Sequence, residues 1–435
     1  MGASDDGKRN GVRHAVVTEV CLLLMGVLTP FSNRTRRQDI PSDANYVGPF
    51  FHTQGHSEDQ PHYLTFEPDG GGWNNIRMAM ETVIGLGIAT GRTIVLPPNQ
   101  RMYLLGKNRG KEKTDFSFAD FFPLDQVAAE HPALNFISTE EFLKREAMTG
   151  RMRDSDTGQV TFPPGNRTDW DGQDVRPLKF WLQNSTVAPR WAPGACMAAF
   201  PASGRHEDVQ KLHEIVKDIH RHGTLQNATL ETPTPVDAST HDRLYENLAK
   251  RGHLCLYDEG MQQARVVHFM CNHKLRVRML VHFYAFLFFE DWRDDLWMKR
   301  FMRDHLRYTD EIQCAAARVV QHLRQLARKI DPRDTAGAFD TIHVRRGDFQ
   351  FKKTRLEAAE ILENTKNELT PGGVLFIATD ERQKSFFDVF RANYTVRFLD
   401  DYKDDLKGVN TNYFGMIDQL IASKGRVFFG CWHST

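Results

Sequence analysis

A chain of 435 residues is long enough for two domains, each with its own core. A hydrophobic share of 40% and a charged share of 26% are ordinary for a globular protein. Basic and acidic residues number 56 each, which excludes a global field that recruits nucleic acid or an anionic membrane. An anion must therefore be held by local arginines, helix ends and backbone amides.

At the N-terminus Lys8, Arg9 and Arg13 precede the apolar stretch Val20-Cys-Leu-Leu-Leu-Met-Gly-Val-Leu28, which Thr29-Pro30 ends. A basic segment followed by a short apolar core is the pattern of a secretory signal or a signal anchor. The stretch is short for a full span of about 20 residues, and Glu19 interrupts its near side. Entry into the secretory pathway is expected, with a cleaved signal and a type II membrane anchor both open. Asn33, Asn166, Asn184, Asn227 and Asn393 each open a glycosylation acceptor triplet, in keeping with a lumenal site. Residues 29 to about 60 are polar and read as a stem, so residues 1–60 form the signal or anchor and stem.

The first ordered unit, 61–290, opens on Tyr63-Leu-Thr-Phe66 as a strand and Pro68-Asp-Gly-Gly-Gly72 as a tight loop. From Trp73 to Ala89 the apolar residues Ile76, Met80, Val83, Ile84 and Ile88 keep helical spacing, and Gly91 ends the helix. Thr93-Ile-Val-Leu96 is the next strand, giving the strand–loop–helix–strand unit of an α/β sheet. Residues from about 100 to 260 carry Pro/Gly-rich patches and read as loops and short helices on the acceptor side. Val266 marks a return to a core strand, and the aromatic run Phe283–Phe289 reads as core packing. Trp292 to Ile330 is expected as a helical bridge, with Asp291 to Asp295 solvated on it.

The last third, 291–435, alternates strands and helices: strands at Thr341–Arg345, Val374–Thr379, Val396–Leu399 and Arg426–Phe429, helices at Glu381–Arg391 and Asn412–Ser423. A capping box, Thr354-Arg-Leu-Glu357, opens a further helix. Such alternation predicts a parallel, doubly wound sheet, which binds ligands at the carboxyl ends of its strands.

His343-Val-Arg-Arg-Gly-Asp348 lies where a buried strand runs out. His343 and Arg345 then share one face and Arg346 takes the other. An arginine fork suits a diphosphate, and Gly347 lets the backbone turn closely round a ligand. A strand-end charge cluster paired to nearby acids is the plainer alternative. Asp380 and Glu381 end the next strand and can accept from a base or cap the following helix. Ser434 and Thr435 can bind a phosphate through hydroxyl and amide groups, or simply end the chain. Gly70-Gly-Gly-Trp-Asn-Asn-Ile-Arg77 lacks the GxGxxG spacing, but a glycine loop opening a helix can bring amides to a phosphate or sugar. A tight turn capped at Asn74 is the alternative. The six cysteines form no CxxC pair, and no His/Cys cluster has zinc-ligand spacing, so no metal is expected. Cys196, Cys255, Cys271 and Cys314 can supply one or two disulfides or remain buried thiols.

The motifs together resemble the GDP-fucose protein O-fucosyltransferase family. Gly70–Arg77 with Gly91–Pro97 resembles its N-terminal motif, and His343–Asp348 its donor-binding HxR motif. Ala378-Thr-Asp-Glu381 is similar to the next motif, and Gly415 to Thr435 to the final phosphate-binding one. The resemblance implies an α/β, GT-B-like fold of two Rossmann-like domains facing across a cleft. It implies inverting transfer from GDP-fucose to a hydroxyl, with no metal and with a Ser/Thr of a secretory-pathway protein as acceptor. Arg345 would then neutralise the β-phosphate, His343 and Asp380 would hold ribose or guanine, and Ser434 and Thr435 would contact the phosphates. Gly71 and Gly72 would approach the donor, with Asn74 facing the sugar and acceptor as the second catalytic residue. Two departures stand out. Some members carry a catalytic glutamate where Gly71 lies, and the family usually continues past Thr435, so the edge of the phosphate site is expected to be missing. The alternatives are a glycan α-fucosyltransferase and a GDP-sugar-binding pseudoenzyme.

Overall fold

The structure, a computed structural model, describes residues 46–50, 61–103, 105, 115–131, 133–154, 156–170, 174–203, 205–222, 237–248, 251–347 and 355–430. The apolar stretch Val20–Leu28, the acceptor residues Asn33 and Asn227, Thr354 of the expected capping box, and Ser434 and Thr435 lie outside these residues. Among the described residues no helix is long and apolar enough to cross a membrane. The chain divides into two compact units, one formed by Asn33–Thr309 and the other containing Asp310–Thr435.

In the first unit, β1 (Tyr63–Phe66) is buried along its whole length and leads through the glycine loop into α1 (Trp73–Thr90). Helix α1 is buried on nearly every side, which its run of Met, Val, Ile, Leu and Gly allows. Gly91 stops it in the left-handed conformation at φ 66°, its amide turned back to the carbonyls of Gly87 and Ile88. Strand β2 (Thr93–Leu96) then pairs parallel to β1. Arg92, at the join, is 1% exposed. Its guanidinium donates to the carbonyls of Tyr63 at 3.1 Å and Ala264 at 2.8 Å and to the Tyr257 hydroxyl at 2.7 Å. It staples the start of β1 to the chain at Ala264.

The chain continues through α2 (Leu124–Glu130), β3 (Phe136–Ser138), α3 (Val175–Ser185), β4 (Cys196–Phe200), α4 (His206–His222), α5 (Thr240–Leu248), β5 (His253–Leu256), β6 (Val266–Phe269), β7 (Leu287–Phe289) and α6 (Trp292–Asp304). One sheet has the order β3-β2-β1-β6 and another β5-β4-β7, and the pairs in both are parallel. The stretch from about 100 to 260, read from sequence as loops and short helices, therefore contains two of the three strands of the second sheet, β4 and β5, and a 17-residue helix, α4. Cys196 and Cys255, on the neighbouring strands β4 and β5, form a disulfide, while Cys271 and Cys314 are free thiols. The aromatic run 283–289 is a single helical turn followed by β7, with Phe283, Phe286 and all of β7 buried. The expected continuous bridge from Trp292 is broken: α6 ends at Asp304. Its first turn is not solvated throughout, because burial, reinforced by Asp291, pushes the Asp294 carboxyl up to about 7.

The second unit begins with α7 (Asp310–Ile330). Strand β8 (Asp340–Val344), helix α8 (Ala358–Thr365), strands β9 (Val374–Thr379) and β10 (Thr395–Arg397), helix α9 (Phe414–Ala422) and strand β11 (Phe428–Phe429) follow. The sheet order is β10-β9-β8-β11, parallel throughout, as the alternation of strands and helices predicts. Leu375, Phe376 and Ile377 of β9 are buried in its core, and α9 packs along α7 and over β9. The segment expected as a helix from Glu381 is a 3₁₀ turn at Lys384–Phe387 running into a single turn at Asp388–Arg391.

Candidate functional site

In the second unit the sequence puts its charge where the apolar strand β8 ends, between β9 and β11. His343 lies on β8 itself. Burial, with the guanidinium of Arg345 beside it, lowers its pKa, and the Asp380 carboxylate only partly offsets this. The ring is thus neutral at neutral pH and offers one donor and one acceptor nitrogen. Arg345 places Nε 3.1 Å from Oδ2 of Asp380, at the end of β9. The other carboxylate oxygen of Asp380 accepts from the amides of Arg346 at 2.7 Å and Gly347 at 3.0 Å. Asp380 is therefore the post around which the loop after β8 turns. A Cβ added at Gly347 would lie 2.6 Å from its Oδ2, so a side chain there has to displace the carboxylate.

Arg346 goes the other way, as strand alternation predicts. It packs over the Phe386 ring at 3.9 Å, reaches Glu381 Oε2 at 3.2 Å and donates to the Leu356 carbonyl at 2.9 Å. Each arginine is thus paired with a carboxylate that follows β9, Arg345 with Asp380 and Arg346 with Glu381. Glu381 also binds the amide of Gln383, which lowers its pKa together with Arg346. On α9, within the last motif, burial pushes the Asp418 carboxyl up to about 8 against the pull of Lys384. Sequence spacing gave no sign of that protonated acid. Ser434 and Thr435 lie outside the described residues.

In the first unit the glycine loop sits at the carboxyl end of β1. Gly72 starts α1 without a side-chain cap, and Asn74, half-buried, is the second residue of the helix and not its cap. The loop is set by two residues that sequence reading passed over. Asp69, 4% exposed, accepts from the Gly71 amide at 2.8 Å. Its carboxylate is clasped by Arg278, Nε at 2.9 Å and Nη2 at 2.8 Å. A Cβ at Gly71 would meet Asn75 Nδ2 at 2.4 Å and Asp69 Oδ1 at 2.9 Å, whereas Gly70 and Gly72 face open space. Arg77, at the end of the motif, is tied to Glu81 at 2.8 Å and to the Tyr308 hydroxyl at 3.0 Å.

Beside this loop lies a cleft lined by Thr65, Glu67, Pro97, Gln100, Lys179 and His268. His268 Nδ1 lies 2.9 Å from Thr65 Oγ1 and its Nε2 lies 3.3 Å from Glu67, which also accepts from Gln183 at 2.6 Å. Those contacts, led by His268, hold the Glu67 carboxyl low although burial opposes them. The ends of β1 and β6 could have drawn notice as neighbouring strand ends, but their pairing is not written in the sequence.

The class of the protein, a glycosyltransferase, follows from its family. The chain belongs to the GDP-fucose protein O-fucosyltransferase family, whose model matches residues 63–435. No curated protein matches the chain by sequence. Among solved structures, a fucosyltransferase NodZ from Bradyrhizobium is 12% identical over 85% of this chain and 88% of its own, with a TM-score of 0.37. NodZ alpha-1,6-fucosyltransferase co-crystallized with GDP is 13% identical over 86% and 89%, with a TM-score of 0.38. The apo-form of POFUT1 is 13% identical over 87% and 93%, with a TM-score of 0.30.

Proposed function

We propose that this protein transfers fucose from GDP-fucose, with inversion, to a serine or threonine hydroxyl of a protein in the secretory pathway. Family membership supports the donor. The observation that carries the reading is the Arg345–Asp380 pair at the end of β8, beside a neutral His343. A β-phosphate arriving there exchanges places with the Asp380 carboxylate on Arg345. As the bond from the sugar to the diphosphate breaks, negative charge grows on that phosphate, and the guanidinium stabilises it. His343 and Asp380, with the amides of the turn, are left for ribose or base. The acceptor hydroxyl attacks from the opposite face of the sugar; Asn74 is assigned to the sugar and acceptor, and Gly71 and Gly72 to the donor. Its proton goes to water or the leaving phosphate, since no carboxylate stands at position 71. No metal takes part in this transfer. The Cys196–Cys255 disulfide favours an oxidising lumen.

A second reading, a GDP-sugar-binding protein without turnover, is favoured by the closed space at Gly71. Calorimetric titration with GDP-fucose, GDP-mannose and UDP-N-acetylglucosamine, with donor consumption followed in parallel, separates the two. Selective GDP-fucose binding with turnover is expected, and Arg345→Ala should lower turnover by about 10²–10³-fold. Binding without consumption would establish the second reading. Failure to bind any guanine nucleotide would refute both.

A further inference from the structure

We propose that Glu130, His131 and His305 form a site for one divalent transition-metal ion, zinc by its donor chemistry, that clamps the first unit from within. The two histidines lie far apart in sequence, which is why ligand spacing could not reveal them. In the structure one donor atom from each of the three side chains lies within 4.8 Å of the others. Two imidazoles and a carboxylate suit zinc and leave a fourth position for water.

His131 is 2% exposed and fixed by its surroundings. Its ring stands edge-on to Phe301 at 4.8 Å and to His305 at 4.4 Å between centroids. His305 Nδ1 lies 4.0 Å from Glu130 Oε2. Bonds of about 2.0–2.2 Å to a tetrahedral ion bring donor atoms to about 3.3 Å from one another. Closure therefore needs only side-chain rotation of exposed Glu130 and half-buried His305. The backbone also favours a cation here. His131 caps the C-terminus of α2 and His305 that of α6, so the negative ends of two helices meet at the site. Trp297 and Phe301 supply the apolar wall that strengthens such bonds.

The consequence lies just beyond His305. Thr309 donates its amide to the Phe121 carbonyl at 2.9 Å. The Tyr308 hydroxyl accepts from Trp73 Nε1 at 2.9 Å and Arg77 Nη1 at 3.0 Å. An ion that fastens His305 to the end of α2 thus holds the segment that supports the first turn of α1. Its role is structural, and it is independent of the residues at the end of β8.

The test uses the full chain without a histidine tag, stripped with a chelator and titrated with Co²⁺ and then Zn²⁺. One saturable site is expected, with visible d–d absorption from bound Co²⁺ that Zn²⁺ displaces. Zn²⁺ should also raise the melting temperature. His305→Gln and Glu130→Gln should each weaken binding more than about tenfold and abolish the thermal shift. Circular dichroism checks folding, and exposed Glu130→Gln carries the test alone should His305→Gln misfold. Absence of a one-equivalent site, or undiminished affinity in the folded variants, would overturn the proposal.

Discussion

Gly347 shows how tightly single residues define the charged strand end. Its amide and that of Arg346 share one oxygen of Asp380, and the other oxygen stands where a methyl group would be. Gly347→Ala should therefore displace Asp380 from the turn and Arg345 from its rest position. We expect a loss of about 1–3 kcal/mol in stability, the range for overpacking, with weaker GDP-fucose binding seen by calorimetry. Unchanged affinity and melting temperature would show that the turn has room to spare. Arg345, His343 and Asp380 drew notice in the sequence because they stand where apolar strands end, and the structure brings them together there, with Arg345 paired to Asp380. Asp69 and Arg278 were not, because 209 residues separate them and an aspartate before three glycines reads as an ordinary turn.

Elements were legible in proportion to their hydrophobic continuity. Strand β9 falls on the expected residues because Val374–Thr379 is an unbroken apolar run that both faces of a parallel sheet demand. Helix α4 was passed over although Leu212, Val216 and Ile219 are its buried stripe. Its charged remainder and the Pro/Gly patches around it concealed the period. Helix α6 carries one source of pH dependence. Asp294 titrates near 7 in the folded protein against an ordinary 3.8, so the folded state keeps a proton that the unfolded chain has released between those values. The stability this contributes is complete below about pH 4 and lost as pH rises through about 7. Asp294→Asn should then raise the melting temperature at pH 8, by about 1–3 kcal/mol in stability terms, and leave it unchanged near pH 3.5. Calorimetric scans across that range decide it, and a gain that did not depend on pH would point to some other cause.

For the molecule as a whole, class was legible and closure was not. Alternating strands and helices predict parallel sheets anywhere in the chain, but the sheet β5-β4-β7 joins segments whose neighbours in space are distant in sequence. Its disulfide closes a separation of 59 residues. By loop entropy such a link contributes about 4 kcal/mol. Cys196→Ala with Cys255→Ala should lower stability by up to that amount in denaturant unfolding, without loss of the parallel pairing that β4 makes with β7. An unchanged unfolding midpoint would mean that the thiols are not joined in the folded protein. The middle region carries no legible motif because its order is built from contacts and not from a repeated local pattern.

The glycine at position 71 also bears on ancestry. Its neighbours on both sides are committed, Asp69 to Arg278 and Asn75 to the first turn of α1. A side chain introduced at this position meets both neighbours at once, so Asn75 or Asp69 has to move to admit it. In any line of descent, what stands at position 71 is therefore decided together with positions 69 and 75.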